Sequence, residues 1–221
     1  MSRSFSEFLR PHRTIPLTPW TAPARWAITP FRFLILFSGL FVFGIGEAFL
    51  LQSGIGNSPW TVLAEGLSLH FPIPIGGSTA LISCVVLLFW IPLKERPGFG
   101  TLLNIFVIAG ALQIGKTLIP HQSNFLLGLL FALIGIGAVG MGSGIYITCG
   151  LGPGPRDGLM TALHNRTGIR VGRVRLTLEI LVLTAGWLLG GTVGVGTALF
   201  ALLIGQSIAI CFGVVSRVTT K

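Results

Sequence analysis

The stretch Gly54-Ile-Gly-Asn-Ser-Pro-Trp60 returns later in the chain as Gly150-Leu-Gly-Pro-Gly-Pro-Arg156, an offset of 96 residues. Without any gap, the same offset pairs Gly39 with Gly135, Gly44 with Gly140, Gly46 with Gly142 and Gly76 with Gly172. Further on it pairs Gly98, Gly100 and Thr101 with Gly194, Gly196 and Thr197, and Leu63, Leu67 and Ile73 with Leu159, Leu163 and Ile169. Glycine- and leucine-rich chains align by chance. A Gly-x-Gly-x-x-Pro core flanked on both sides by matched glycines at one offset argues against chance here. The chain reads as a duplication, and duplicated hydrophobic halves are the architecture of many transporters.

The flanks of the motif identify the solvent. The 221 residues are 52% hydrophobic and 10% charged, with a mean hydropathy of +0.85, which excludes an ordinary soluble domain. Six apolar runs approach or exceed the roughly 20 residues that span a bilayer as a helix. They cover 31–52, 75–93, 101–119, 125–148, 171–189 and 197–215. A transmembrane β-barrel needs short alternating segments, and these runs are continuous. The expected fold is all-α: a polytopic membrane protein with six transmembrane helices. Residues 1–30 form a basic, Pro-rich arm, and 31–216 one transmembrane domain made of repeats 31–120 and 125–216.

The net charge of +9 is an orientation signal. Arg3, Arg10, Arg13 and Arg25 precede the first run; Lys94 and Arg96 follow the second. Arg156, Arg166, Arg170, Arg173 and Arg175 lie at or near the link between the fourth and fifth runs, and Arg217 and Lys221 follow the sixth. Links on the other side carry almost no Lys or Arg, the alternation that the positive-inside rule demands. Both termini are expected in the cytoplasm, and a nucleic-acid partner is not implied. With three runs per half, an odd number, the second repeat enters from the opposite side and the repeats are inverted. The arm, with Trp20 and Trp26 among its arginines, is expected on the cytoplasmic leaflet or as a solvated tail.

In each half the order is apolar run, Gly-x-Gly-x-x-Pro, short amphipathic stretch, apolar run. Pro59 and Pro155 suit the first position of a helix, with Ser58 and Gly154 as caps. Gly54, Gly56, Gly150 and Gly152 allow a sharp turn that presents backbone N–H groups at a helix start. That is the recipe for holding an anion or a carbonyl-bearing solute. The halves diverge where Trp60 and Thr61 become Arg156 and Asp157. Substrate-binding candidates are therefore Gly54, Gly56, Ser58, Pro59, Gly150, Gly152, Pro155, Arg156 and Asp157. Two carboxylates fall inside apolar runs, Glu47 and Glu179, and are candidate coupling groups. For Glu179, an ion pair with Arg175 one turn earlier is the structural alternative. Gly135, Gly137, Gly140, Gly142 and Gly144 read as a close-packing face.

No strand precedes the Gly-x-Gly, so it is not a dinucleotide fingerprint, and no phosphate-loop, zinc-protease or serine-hydrolase motif is present. Cys84, Cys149 and Cys211 have neither metal nor redox spacing and read as packing residues. No metal, no cofactor and no enzymatic activity are expected.

The run Gly150-Leu-Gly-Pro-Gly-Pro-Arg-Asp-Gly-Leu-Met-Thr161, with Arg166-Thr-Gly168 and 186–197 (GWLLGGTVGVGT), resembles the YczE-like bacterial membrane proteins of the YczE/YyaS/YitT grouping. The first-half motif resembles that family's Gly-Leu-Gly-Pro-Trp element, with Asn57-Ser58 before the proline here. The resemblance covers 31–215 and implies a cytoplasmic-membrane protein, with neither substrate nor reaction. The expected function is an inverted-repeat permease for a small polar or anionic solute. The alternative is a membrane interaction or regulatory protein, associated with itself or with another membrane protein.

Overall fold

The computed structural model describes residue 11 and residues 14–219; Arg3, Arg10, Arg13 and Lys221 lie outside the described residues. Among the described residues nine helices occur and no strand. They are α1 (Pro30–Gln52), α2 (Pro59–His70), α3 (Ile75–Leu88), α4 (Trp90–Leu93), α5 (Phe99–Leu118), α6 (Phe125–Thr148), α7 (Pro155–Thr167), α8 (Val171–Leu188) and α9 (Val195–Thr219). Helix starts recur at the 96-residue offset: Pro59 and Pro155, Ile75 and Val171, Phe99 and Val195.

Five helices are long and apolar enough to cross a membrane: α1, α3 joined to α4, α5, α6 and α9. The sixth expected span, α8, falls outside this set. Its 18 residues include Arg173, Arg175 and Glu179. Large apolar side chains such as Leu88, Phe106, Leu126 and Leu202 point outward, as lipid-facing residues do. The chain is a multi-pass membrane protein.

Close backbone approach holds the bundle together. Lipid tails are as apolar as leucine, so helices in a bilayer associate through tight packing and small residues. At the crossing of α1 and α6, a Cβ on Gly46 would lie 2.8 Å from the Gly135 carbonyl, and one on Gly142 2.5 Å from the Gly39 carbonyl. These two contacts exchange when 96 is added to the α1 residue and subtracted from the α6 residue. As α1 runs from 39 to 46 its partner runs from 142 to 135, so the pair is antiparallel. The flanking contacts follow the same rule. Gly44 meets Ala111 of α5 as Gly140 meets Ser207 of α9, and Gly115 meets Ala48 as Cys211 meets Gly144. Gly137 differs from its neighbours: nothing lies within 4 Å of a Cβ built there, so it is not part of the packing face.

The short helices cross between halves, α2 packing on α8 and α7 on α3 and α4. Pro92 lacks an N–H and its ring collides with the carbonyl four residues earlier, that of Leu88, where α3 ends. The break turns Trp90 inward. Its indole Nε1 donates to the Pro155 carbonyl at 3.0 Å, and its ring fills the space left by Gly158. The described part of the arm also docks on the protein. Trp20 Nε1 donates to Thr148 Oγ1 at 3.1 Å, and the Ala22 N–H to the Cys149 carbonyl at 2.9 Å. Two hydrogen bonds thus hold residues 20–22 of the arm to the end of α6.

Candidate functional site

The motif loops turn as their glycines require. Gly54 and Gly56 have φ of +69° and +120°, and Gly150 and Gly152 of +66° and +111°, all in the region that favours glycine. Their backbones serve as joints between the halves. The Gly196 N–H donates to the Ile55 carbonyl and the Gly100 N–H to the Leu151 carbonyl, both at 2.8 Å. A Cβ on Gly56 would lie 2.6 Å from Gly194 N, and one on Gly152 3.0 Å from the Gly98 Cα. Thus Gly54 and Gly56 do not face the main cavity. Gly150 and Gly152 line a second one, of about 370 Å³, together with Arg25 and Asp157.

From these joints, Pro59 and Pro155 start α2 and α7 as first-turn prolines. The two helix starts open onto one central cavity of about 290 Å³. Its wall is composed of equivalent positions. Phe43 and Val139, Glu47 and Ser143, Ser58 and Gly154, Pro59 and Pro155, and Trp60 and Arg156 all line it. So do Thr79 and Arg175, Ser83 and Glu179, Asn104 and Phe200, and Ile108 and Ile204. Both carboxylates singled out from the sequence, Glu47 and Glu179, therefore share one cavity with the starts of both short helices.

Glu47 is 2% exposed. Its Oε2 accepts from Ser58 Oγ at 2.6 Å and from Thr61 Oγ1 at 2.7 Å, while its Oε1 is buried without a partner. The Ser58 hydroxyl, expected to cap α2, turns to this carboxylate instead and makes no cap hydrogen bond. A negative group beside the first turn also complements the helix dipole. In the first half, therefore, the helix start that was expected to receive an anionic solute already faces the protein's own carboxylate. Among the described residues no donor reaches Oε1, and a buried acceptor left so costs about 1–3 kcal/mol or more.

In the same wall, the Arg156 guanidinium lies over the Trp60 ring, 4.9 Å from its centroid, a cation–π geometry. Among the described residues it makes no hydrogen bond and no ion pair. Trp60 and Arg156 occupy the same place in the two repeats, and here they touch. The next residue, Asp157, accepts from the Tyr146 hydroxyl at 2.6 Å. Arg175 Nε donates to Glu179 Oε1 at 2.8 Å, the pairing expected one turn apart.

Residues that the sequence reading did not single out complete the wall: Thr79, Ser83 and Tyr146. Thr79 and Ser83 are polar residues four apart in an apolar span, and adding 96 to them gives Arg175 and Glu179, a signal present in the sequence. Glu65 braces the first joint, accepting from Asn57 Nδ2 at 2.7 Å, Thr192 N at 2.7 Å and Thr192 Oγ1 at 2.9 Å. No sequence signal pointed to that brace, because its partners lie up to 127 residues away.

The chain matches a family model described as "Family of unknown function (DUF6198)" over residues 30–212. It is 43% identical over 205 residues to an uncharacterized protein of Haemophilus influenzae, covering 93% of this chain and 94% of that one. It is 31% identical over 176 residues to the uncharacterized membrane protein YczE of Bacillus subtilis, covering 79% and 82% of the two chains. A third relative, the uncharacterized protein YyaS of the same organism, is 25% identical over 183 residues, 81% of this chain and 91% of that one. No solved structure matches. With a family model spanning most of the transmembrane region and a membrane relative above 30% identity, the chain belongs to the YczE-like family of membrane proteins.

Proposed function

We propose that this protein is a permease for a small polar solute. It is built from two inverted repeats, with both termini in the cytoplasm and the central cavity as its binding site. The observation that carries this reading is the composition of the cavity wall, where positions 96 residues apart face one another. Contacts that exchange between halves are the mark of a two-fold relation. Because α1 and α6 pack antiparallel, a two-fold relating them lies across the helices, hence in the membrane plane. In this arrangement α8 completes the second repeat as the counterpart of α3 and α4, its charged residues turned to the cavity and the cytoplasmic end.

Transport by rocking of one half against the other exposes the cavity alternately to each side. Glu47 is the coupling group: Oε1 takes up a proton, an ion or a donor of the solute, and its occupancy changes through the cycle. Arg175 and Glu179 form a neutral pair on the opposite wall.

The test is uptake into proteoliposomes, measured by transport currents under an imposed pH gradient against a panel of amino acids, carboxylates, amines and nucleosides. At least one class is expected to be moved by the wild type. The current should disappear in Glu47→Gln while the purified variant stays monodisperse. No current for any class, together with stoichiometric co-purification of another membrane protein, would transfer the chain to the interaction reading.

A further inference from the structure

The cavity wall also points to the chemical class of the solute, an inference that rests on the permease reading for its direction of travel but not for binding. Two groups facing the cavity keep hydrogen-bonding capacity that no described residue meets, and they are of opposite kind. Glu47 Oε1 is a buried acceptor with no donor. Arg156 is a planar, always-charged donor fork held in place by Trp60, with no acceptor. A third unpartnered atom, Thr79 Oγ1, is buried in the same wall.

The formal charges of the wall exclude a simple anion as the best fit. Among the described residues of the wall, Glu47, Asp157 and Glu179 face Arg156 and Arg175, leaving one negative charge in excess. A bare carboxylate drawn to Arg156 would enter a site already negative, with three carboxylates close enough to act on that guanidinium or its neighbour. A bare amine would satisfy Glu47 and leave the guanidinium without an acceptor. A molecule carrying both an acidic and an amino group satisfies both at once and leaves the net charge of the site unchanged. Charge-assisted hydrogen bonds at a fork and at a buried carboxylate are the strong kind.

The rest of the wall describes the body of that molecule. Phe200, Ile204, Ile208 and Phe212 succeed one another four residues apart on α9 and present one apolar stripe to the cavity. The volume, about 290 Å³, is at the small end of ligand sites, which run from about 300 to 1,000 Å³.

We infer that the cavity binds a small zwitterion with an apolar body, of the apolar amino-acid class, its carboxylate on Arg156 and its ammonium on Glu47 Oε1. The same carboxylate then both binds and couples: a proton or ion occupies Oε1 when the ammonium does not.

The test is calorimetric binding to the purified full-length protein in detergent. The probes are L-leucine, 4-methylpentanoate (the same body without the amine) and 3-methylbutylamine (the same body without the acid), with L-phenylalanine as a second zwitterion. A zwitterion should bind at least tenfold more tightly than either truncated probe. Glu47→Gln should erase the advantage over 4-methylpentanoate only, and Arg156→Gln the advantage over 3-methylbutylamine only. If Arg156→Gln does not fold, Arg156→Lys keeps the charge, loses the fork and should cut leucine affinity severalfold. Equal binding of a truncated probe and its zwitterion, or no binding of either zwitterion, overturns the inference. Zwitterion binding without uptake would leave this site standing and remove the permease. Uptake of another solute that Glu47→Gln abolishes and Arg156→Gln leaves unchanged would do the reverse.

Discussion

The two halves of the chain share their backbone joints and differ in their cavity chemistry. At the crossing of α1 and α6 and at the two motif loops, where backbone meets backbone, equivalent positions keep equivalent glycines. Gly46 and Gly142 meet the opposite helix, and Gly56 and Gly152 turn with positive φ against the opposite joint. Where they face the cavity, equivalent positions have diverged: Glu47 against Ser143, Trp60 against Arg156, Ser83 against Glu179, Asn104 against Phe200. Packing tolerates no substitution at a backbone-to-backbone contact, so duplication persists there. A cavity makes no such demand. On the permease reading, this difference gives the cavity a carboxylate from one half and a guanidinium from the other.

The comparison breaks most completely on topology. A reporter fused after Phe71 should be outside and one fused after Arg166 in the cytoplasm, an all-or-none difference. Finding both on one side would leave the halves parallel, and an even number of crossings between them.

Next in size come the shared joints. Leucine at Gly46 would drive its Cβ to 2.7 Å from Val139 N, and at Gly142 to 2.5 Å from Phe43 N. Both substitutions press on backbone, which cannot rotate away. Each should cost about 3 kcal/mol, the upper end of over-packing. Thermal unfolding in detergent should show equal losses; a large loss in only one would deny that the contacts are equivalent. Gly137→Ala, with open space around it, should instead gain a few tenths of a kcal/mol from helix propensity.

A smaller effect probes where the halves differ. Glu65 accepts three hydrogen bonds at the first joint, whereas its counterpart Thr161 donates one, to the carbonyl of Asp157. Glu65→Gln should lower stability by about 1–3 kcal/mol, because charged acceptors to a buried joint are lost. Thr161→Val should change it by less than about 0.5 kcal/mol, the ordinary range for an exposed substitution. Equal effects would mean that the brace carries no weight.

Much of this organisation was legible in the residues, and particular residues show why the rest was not. The prolines at 59 and 155 announced both short helices, since a first-turn proline loses nothing by lacking an N–H. Glu47 and Glu179 stood out because a carboxylate in an apolar run is expensive. The glycine loops were read for their N–H groups; their carbonyls have a further use between the halves, Ile55 accepting from the Gly196 N–H and Leu151 from the Gly100 N–H. Ser58 was read as a cap, but Glu47 competes successfully for its hydroxyl. Residue type marks a turn or a cap, but it does not say which of two neighbours takes the hydrogen bond.

Local sequence determined the solvent, the two short helices, five of the six expected spans and the 96-residue recurrence, because span length, proline and glycine act within a few residues of themselves; the break at Pro92 inside the run 75–93 was not read from it. Tertiary structure alone decided which side of each helix looks inward. In a bilayer the outward face is as apolar as the core, so the amphipathic stripe that orients a helix in water is largely missing. The meeting of Trp60 with Arg156, and the sharing of one cavity by Glu47 and both helix starts, therefore had to await the antiparallel crossing of α1 and α6. That crossing brings residues 96 apart into the wall of one cavity.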